Sequence, residues 1–298
     1  MSYALRDFGS YTVPGRVIEI TTGEPQEVTF TRTAKYAYDP RGHFAVEQAY
    51  VQYYIPEARN DLPPVVLVHG GGMHGSTWET TPDGRPGWIN LLVRQGYEVH
   101  VLDNVERGRS GFAPGLWDGE AILRSQEEAW SIFRIGPPEG FADRAPFPGS
   151  LFPVEAFDTF ARMMVPRWLT TTPLHIDALV TLLQRTGPSI VICHSQGGEI
   201  TFDALKKDPK NITKIIALEP SCAPADESDL HGRNVLVVIG DFLDVDPLWE
   251  SRKSTWAAIA GLASADMIDT AAMRRGHSHM LMSDAGSDDL LQDVLAQS

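Results

Sequence analysis

The chain has few cysteines, little positive charge for its acidic load, and no long apolar run. Cys193 and Cys222 are the only two cysteines in 298 residues, too few for a disulfide framework. Each follows or ends an apolar segment and reads as a buried free thiol. Lys and Arg together number 25 against 39 Asp and Glu, a formal net charge of −14. That balance argues against nucleic acid and anionic membrane surfaces as partners. No stretch approaches the ~20 apolar residues of a membrane span. The opening Met1-Ser2-Tyr3-Ala4-Leu5-Arg6-Asp7 lacks the apolar core of a signal peptide, so a cytoplasmic location is expected. Neither phosphate-binding fingerprint is present, with no Lys-Ser/Thr after the glycines and no G-x-G-x-x-G. No cofactor is expected, and no metal either, since the His277-x-His279 pair has no evident third ligand nearby. Internal repeats and low-complexity runs are also missing.

From residue 64 onward, apolar runs alternate with helical patterns. This predicts an α/β fold, a mostly parallel sheet covered on both faces, in a single domain over 1–298. Helices are expected near 86–96, 155–164, 175–186, 198–207, 249–264 and 287–297. Val28-Thr29-Phe30-Thr31 and Ala49 to Ile55 read as antiparallel opening strands. Residues 112–174 break the alternation, are rich in Pro and Gly, and carry many aromatic residues and methionines. They read as an inserted cap. Most of those side chains are expected to pack the cap onto the core, with some lining an apolar pocket.

The most specific signal is Cys193-His194-Ser195-Gln196-Gly197-Gly198, between the apolar strand Ile190-Val191-Ile192 and a helical pattern. Strand, small-x-Ser-x-Gly, helix is the nucleophile elbow of an α/β-hydrolase. The turn is tight enough that the glycines relieve crowding, and it pushes the Ser195 hydroxyl into the open. A hydroxyl is a poor nucleophile at neutral pH and needs a base and an anion-stabilising site. Upstream, the strand Val65-Val66-Leu67-Val68 runs into His69-Gly70-Gly71-Gly72. Gly71, with Gly72 as the alternative, and Gln196 are the expected backbone donors of an oxyanion hole. His69 reads as a structural hydrogen-bonding residue. Met73 and Trp78 are expected to contact substrate.

In this fold the order is serine, acid, histidine. Downstream of Ser195 stand His231, His277 and His279. His231 falls at the wrong end of the sheet. His277 and His279 share a loop before the final helix, and His279 is preferred, its ring nitrogen expected within reach of the Ser195 hydroxyl. The acid has two candidates. Asp244, with Asp241 and Asp246 nearby, follows the strand Val235 to Ile239, the fold's usual position. Glu219 ends the strand Ile215 to Leu218, where a carboxylate also faces the C-terminal edge of the sheet.

Beyond the fold, the sequence resembles a small group of bacterial serine esterases. The resemblance is carried by Trp78 to Arg85 with Gly87-Trp88, Gly108-Arg109-Ser110, Glu128-Ala129-Trp130, Phe133-Arg134, His194-Ser195-Gln196, Leu218-Glu219-Pro220 and Ser278-His279-Met280. It implies a catalytic glutamate after the sixth strand of the family's usual sheet, hence Ser195, His279 and Glu219. The glycine triplet at 70–72 departs from the bulkier residues of that group and bears on pocket shape. The expected function is hydrolysis of a small-molecule carboxylic ester or lactone with an apolar part, through an acyl-enzyme. Amide or carbon–carbon cleavage would use the same parts. The alternative is a ligand-binding protein with a slow or relict triad. A homodimer is left open.

Overall fold

The computed structural model describes residues 4–113, 115–262 and 266–297. Parts of three expectations lie outside these: Met1 to Tyr3 of the opening segment, Pro114 of the expected cap, and the last two positions of the 249–264 helix. The strands are β1 (Leu5–Val13), β2 (Arg16–Ile20), β3 (Gln26–Thr31), β4 (Ala34–Tyr38), β5 (Gly42–Val46), β6 (Ala49–Pro56), β7 (Val65–Val68), β8 (Val99–Asp103), β9 (Ser189–His194), β10 (Ile212–Leu218), β11 (Val235–Ile239) and β12 (Asp266–Asp269). The helices are α1 (Trp88–Arg94), α2 (Gln126–Ile132), α3 (Phe157–Ala161), α4 (Thr172–Thr186), α5 (Gln196–Lys207), α6 (Pro247–Leu262), α7 (Thr270–Met273) and α8 (Ser287–Ala296).

Eight strands form one sheet in the order β1-β6-β8-β7-β9-β10-β11-β12. Pairing is parallel from β8 through β12, and β6 runs antiparallel to both β1 and β8. The central strands are apolar on both faces, as a sheet covered on both sides requires. Their period of two splits them between two cores. Val65, Leu67, Ile190, Ile192, Leu236 and Val238 pack on the α1 and α8 side, while Val66, Val68, Val191, Cys193, Val235 and Val237 pack on the side of α4, α5 and α6.

Both opening strands are antiparallel, as expected: Ala49 to Ile55 lies in β6 of the main sheet, and Val28 to Thr31 lies in β3, which pairs with β4 in a separate two-stranded ribbon. The main sheet's edge strands are β1 and β12, and β1 was not anticipated. Its residues are mostly exposed, so they carry little apolar periodicity to betray it. Within 112–174, Trp130, Phe152, Phe157 and Phe160 are buried against one another, with ring centroids 5.3 Å apart for Trp130–Phe157 and Phe152–Phe160. Among the described residues, no helix is long and apolar enough to cross a membrane.

The connections at the C-terminal ends of β7, β9, β10 and β11 converge on one region. That convergence follows from parallel pairing, which brings all four strand ends to the same edge.

Candidate active site

Ser195 sits between β9 and α5 with φ 50° and ψ −115°. Non-glycine residues rarely adopt such a conformation, at a cost of order 1–3 kcal/mol. It is held by backbone bonds from Ser195 N to Leu218 O (3.0 Å) and from Ser221 N to Ser195 O (2.9 Å). The turn admits no side chain at its glycines. A Cβ on Gly197 would sit 2.8 Å from Val68 O, and one on Gly198 would collide with Pro220. Gln196 is the first residue of α5, so its N–H has no intrahelical acceptor and is free for an anion.

The loop after α7 brings His279 beneath the elbow. Its Nδ1 bonds Glu219 Oε2, its N–H donates to Phe133 O at 2.9 Å, and its carbonyl accepts from His194 Nε2 at 2.9 Å. Its ring lies between Phe133, stacked at 5.8 Å, and Trp249 at 4.7 Å. Burial lowers its pKa below the usual histidine value, against the raising effect of Glu219. With Glu219 ionised, the proton sits on Nδ1 and Nε2 is a bare acceptor.

Glu219 is buried, with a positive φ of 45°. Arg134, also buried and at φ 55°, clasps it through both terminal nitrogens, Nη1 at 2.9 Å from Oε2 and Nη2 against Oε1. Gly240 N donates to Oε1 at 2.7 Å. Burial alone would raise the carboxyl's pKa, but the Arg134 charge and the His279 and Arg134 hydrogen bonds outweigh it and leave it at about 2. Arg134 is fixed in turn by Nε donating to Asp241 O at 2.8 Å and by Trp249, whose ring lies 4.4 Å from the guanidinium.

The rival residues go elsewhere. His277 is buried with Nδ1 3.2 Å from Asp284 Oδ2, and the same carboxylate accepts from Ser278 N (2.7 Å) and Ser278 Oγ (2.8 Å). Asp284 thereby pins the loop that presents His279. Asp244 is exposed and lies in a separate hollow with Lys253 and Arg275. Asp246 receives Leu248 N at 2.8 Å at the start of α6, and Asp241 receives Phe242 N at 2.8 Å. His231 is exposed, ahead of β11. His69 binds Gly70 O and receives Asn104 N at 3.1 Å.

Ser195, His279, Glu219, Gly71 and Gln196 line one cavity of about 310 Å³. The expected hydrogen bond between Ser195 Oγ and His279 is not formed, although both border this cavity. Met73 and Trp78, expected at the pocket, are instead buried in the core, Trp78 against Trp88 at 5.7 Å. Both belong to the apolar cluster that includes Trp88, Leu92 and Val101, so burial there takes them out of the cavity lining. The wall contains groups the sequence reading did not single out as site residues: Arg124, Arg167, Glu199, Trp249 and Arg252. Arg167 Nη1 donates to Gln196 Oε1 at 2.9 Å. Arg134 stood within a quoted segment, but nothing local marks an arginine whose partner is 85 positions away.

A family model described as the alpha/beta hydrolase fold matches residues 63–252, and the chain belongs to that family. It is similar over nearly its whole length to a solved bacterial esterase, at 30% identity and a TM-score of 0.86, covering 99% of this chain and 96% of that one. It is also 30% identical over 187 residues to the "Probable secreted lipase phiG" of Fungal sp. (strain ATCC 74256), a match covering 60% of this chain. The chain spans about half the length of that curated relative.

Proposed function

We propose that this α/β-hydrolase cleaves carboxylic esters, open or cyclic, through an acyl-enzyme on Ser195. The observation that carries the reading is the buried Arg134–Glu219–His279 chain ending at the cavity that holds the strained Ser195. Ser195 Oγ attacks the ester carbonyl, and its proton passes to the bare Nε2 of His279. Glu219 holds the opposite ring proton and favours the imidazolium that forms. The developing oxyanion is held by the Gly71 and Gln196 N–H groups. His279 then protonates the leaving alcohol, and water, deprotonated by the same nitrogen, releases the acid. The likeness to an esterase over almost the full chain supports the same class of reaction.

In this reading residues 112–174 act as a cap, since Arg124, Ile132, Phe133 and Arg167 from that segment border the cavity.

One observation favours a second reading, ligand binding without efficient turnover: Ser195 Oγ and His279 are not hydrogen-bonded. Catalytic contacts in unliganded sites often tighten only with substrate, so hydrolysis is preferred. Labelling with a fluorophosphonate separates the two. Hydrolysis requires modification at Ser195 and, in Ser195→Ala, loss of both labelling and at least about 10³-fold of turnover at unchanged fold. An unlabelled wild type, or a variant with near-normal turnover, would refute the assignment.

A further inference from the structure

The cavity wall has a charge opposite to that of the chain. The whole protein carries a formal −14, yet the residues around Ser195 include the guanidinium groups of Arg124, Arg167 and Arg252, drawn from the segment before α2, the segment before α4, and α6. Arg124 is paired with Glu128, four residues on. The other two are not paired in this way. Arg167 is half-buried, and its side-chain hydrogen bond goes to the neutral Gln196 amide. Among the described residues, neither Arg167 nor Arg252 forms an ion pair with a carboxylate. Glu199 is the one lining carboxylate besides Glu219, and it acts on both arginines only at longer range. Two further cations lie nearby and each has its own carboxylate: Arg134 is engaged by Glu219, and Arg107, which also reaches Gln196 Oε1 at 3.5 Å, is paired with Glu106 at 2.9 Å.

A half-buried guanidinium with a neutral amide acceptor and only distant carboxylates loses solvation that these partners do not fully restore, and an arriving anion would make up the difference. Arg167 shows that strain, since burial and the neighbouring Arg124 charge depress its pKa. It is also placed for substrate. Its guanidinium lies so close to Gly71 that a Cβ there would collide with Nη1, which sets it beside the proposed oxyanion hole. Between the arginines, Ile132, Phe133, Leu169, Leu248 and Trp249 supply apolar wall. The cavity therefore presents a mixed polar and apolar wall with two arginines that have no ion-pair partner among the described residues.

We infer that the preferred substrate is an ester bearing its own anionic group, a carboxylate joined to the ester by a short apolar stretch, which Arg167 and Arg252 bind. This deepens the ester-hydrolase reading and depends on it for turnover. A guanidinium–carboxylate hydrogen bond in a partly desolvated site corresponds to about tenfold or more in binding.

The carboxylate could belong to the acyl or to the alcohol part, and two matched series separate these. In the first, p-nitrophenyl hexanoate is compared with the p-nitrophenyl monoester of adipic acid. In the second, the acetate ester of 4-hydroxybenzoic acid is compared with that of its methyl ester. At low salt the charged member of at least one pair should show a kcat/KM about tenfold higher or more. Arg167→Gln and Arg252→Gln should each lower that charged-to-neutral ratio by about tenfold, and high salt should compress it. A ratio near or below one in both series overturns the inference, as does a ratio that neither variant changes. If no ester in either series is turned over, it is the hydrolase reading that fails. Charge recognition is then decided by calorimetry with glutarate: binding that both variants weaken about tenfold supports it, and absence of binding at millimolar glutarate overturns it.

Discussion

Glu219→Gln tests the site most sharply, because the structure dictates how the amide must sit. Glu219 receives four donors. Oε1 accepts from Gly240 N and Arg134 Nη2, and Oε2 accepts from Arg134 Nη1 and His279 Nδ1. A glutamine must turn its NH2 toward one of these pairs. Toward Oε1's partners it would face two fixed donors. Toward Oε2's partners it faces one fixed donor and one imidazole nitrogen that can give up its proton. The second arrangement costs less, so the amide drives His279 into the tautomer with the proton on Nε2. That nitrogen can then no longer accept the proton of Ser195. The equivalent carboxylate-to-amide change in a serine triad lowers kcat by about 10⁴, or about 5 kcal/mol of barrier. The same substitution leaves Arg134 buried without its counter-charge, a loss of about 3–5 kcal/mol of stability. The assay is kcat/KM on p-nitrophenyl acetate, with circular dichroism to confirm the fold and thermal melts to read stability. Asp244→Asn is the control: exposed and in another hollow, it should change turnover less than about tenfold. If Glu219→Gln remained within tenfold of wild type and Asp244→Asn lost orders of magnitude, the acid would be the residue after β11 and the tautomer reasoning would be refuted.

Other outcomes follow from the same geometry. Gly71→Ala should cut kcat by about 10²-fold or more, since the new methyl group displaces Arg167 and disturbs an oxyanion donor; unaltered kinetics would exclude Gly71 from that role. His279 must be neutral to act as base, so activity is lost as pH falls through its pKa. Because burial holds that pKa below 6.5, the acid limb of kcat/KM should have its midpoint below about 6.5, and a midpoint at 7 or above would contradict it. The contribution of Glu219 to stability, whose carboxyl lies at about 2 against an ordinary 4.5, should be fully present above about pH 4.5 and lost as pH falls toward 2, as acid titration of the melting temperature would read. Asp284→Ala, which frees the Ser278 and His277 donors, should destabilise the fold by about 1–3 kcal/mol and slow turnover by loosening the His279 loop; a variant as stable as wild type would show that this carboxylate is not needed there.

What the sequence determined by itself is what neighbours along the chain can enforce. The apolar runs of β7, β9, β10 and β11 specify strands buried on both faces. The Gly197-Gly198 pair after Ser195 specifies a turn too tight for side chains, where contact with Val68 O and Pro220 leaves no room. The position of the Ser195 turn, the glycine loop and the late histidine pair could be read from these local constraints. Tertiary structure decided everything that depends on which distant groups meet. Whether His277 or His279 faces the cavity turned on Asp284 capturing one of them. Glu219 and Asp244 both follow strands ending on the same edge, and what separates them is Arg134, held by Asp241 O and Trp249 at the spot where only Glu219 can reach it. The burial of Met73 and Trp78, and the meeting of Arg167 with Arg252 across the cavity, also come from packing. Residues far apart in the chain become neighbours only once the sheet is assembled, and no local period or spacing encodes such a meeting.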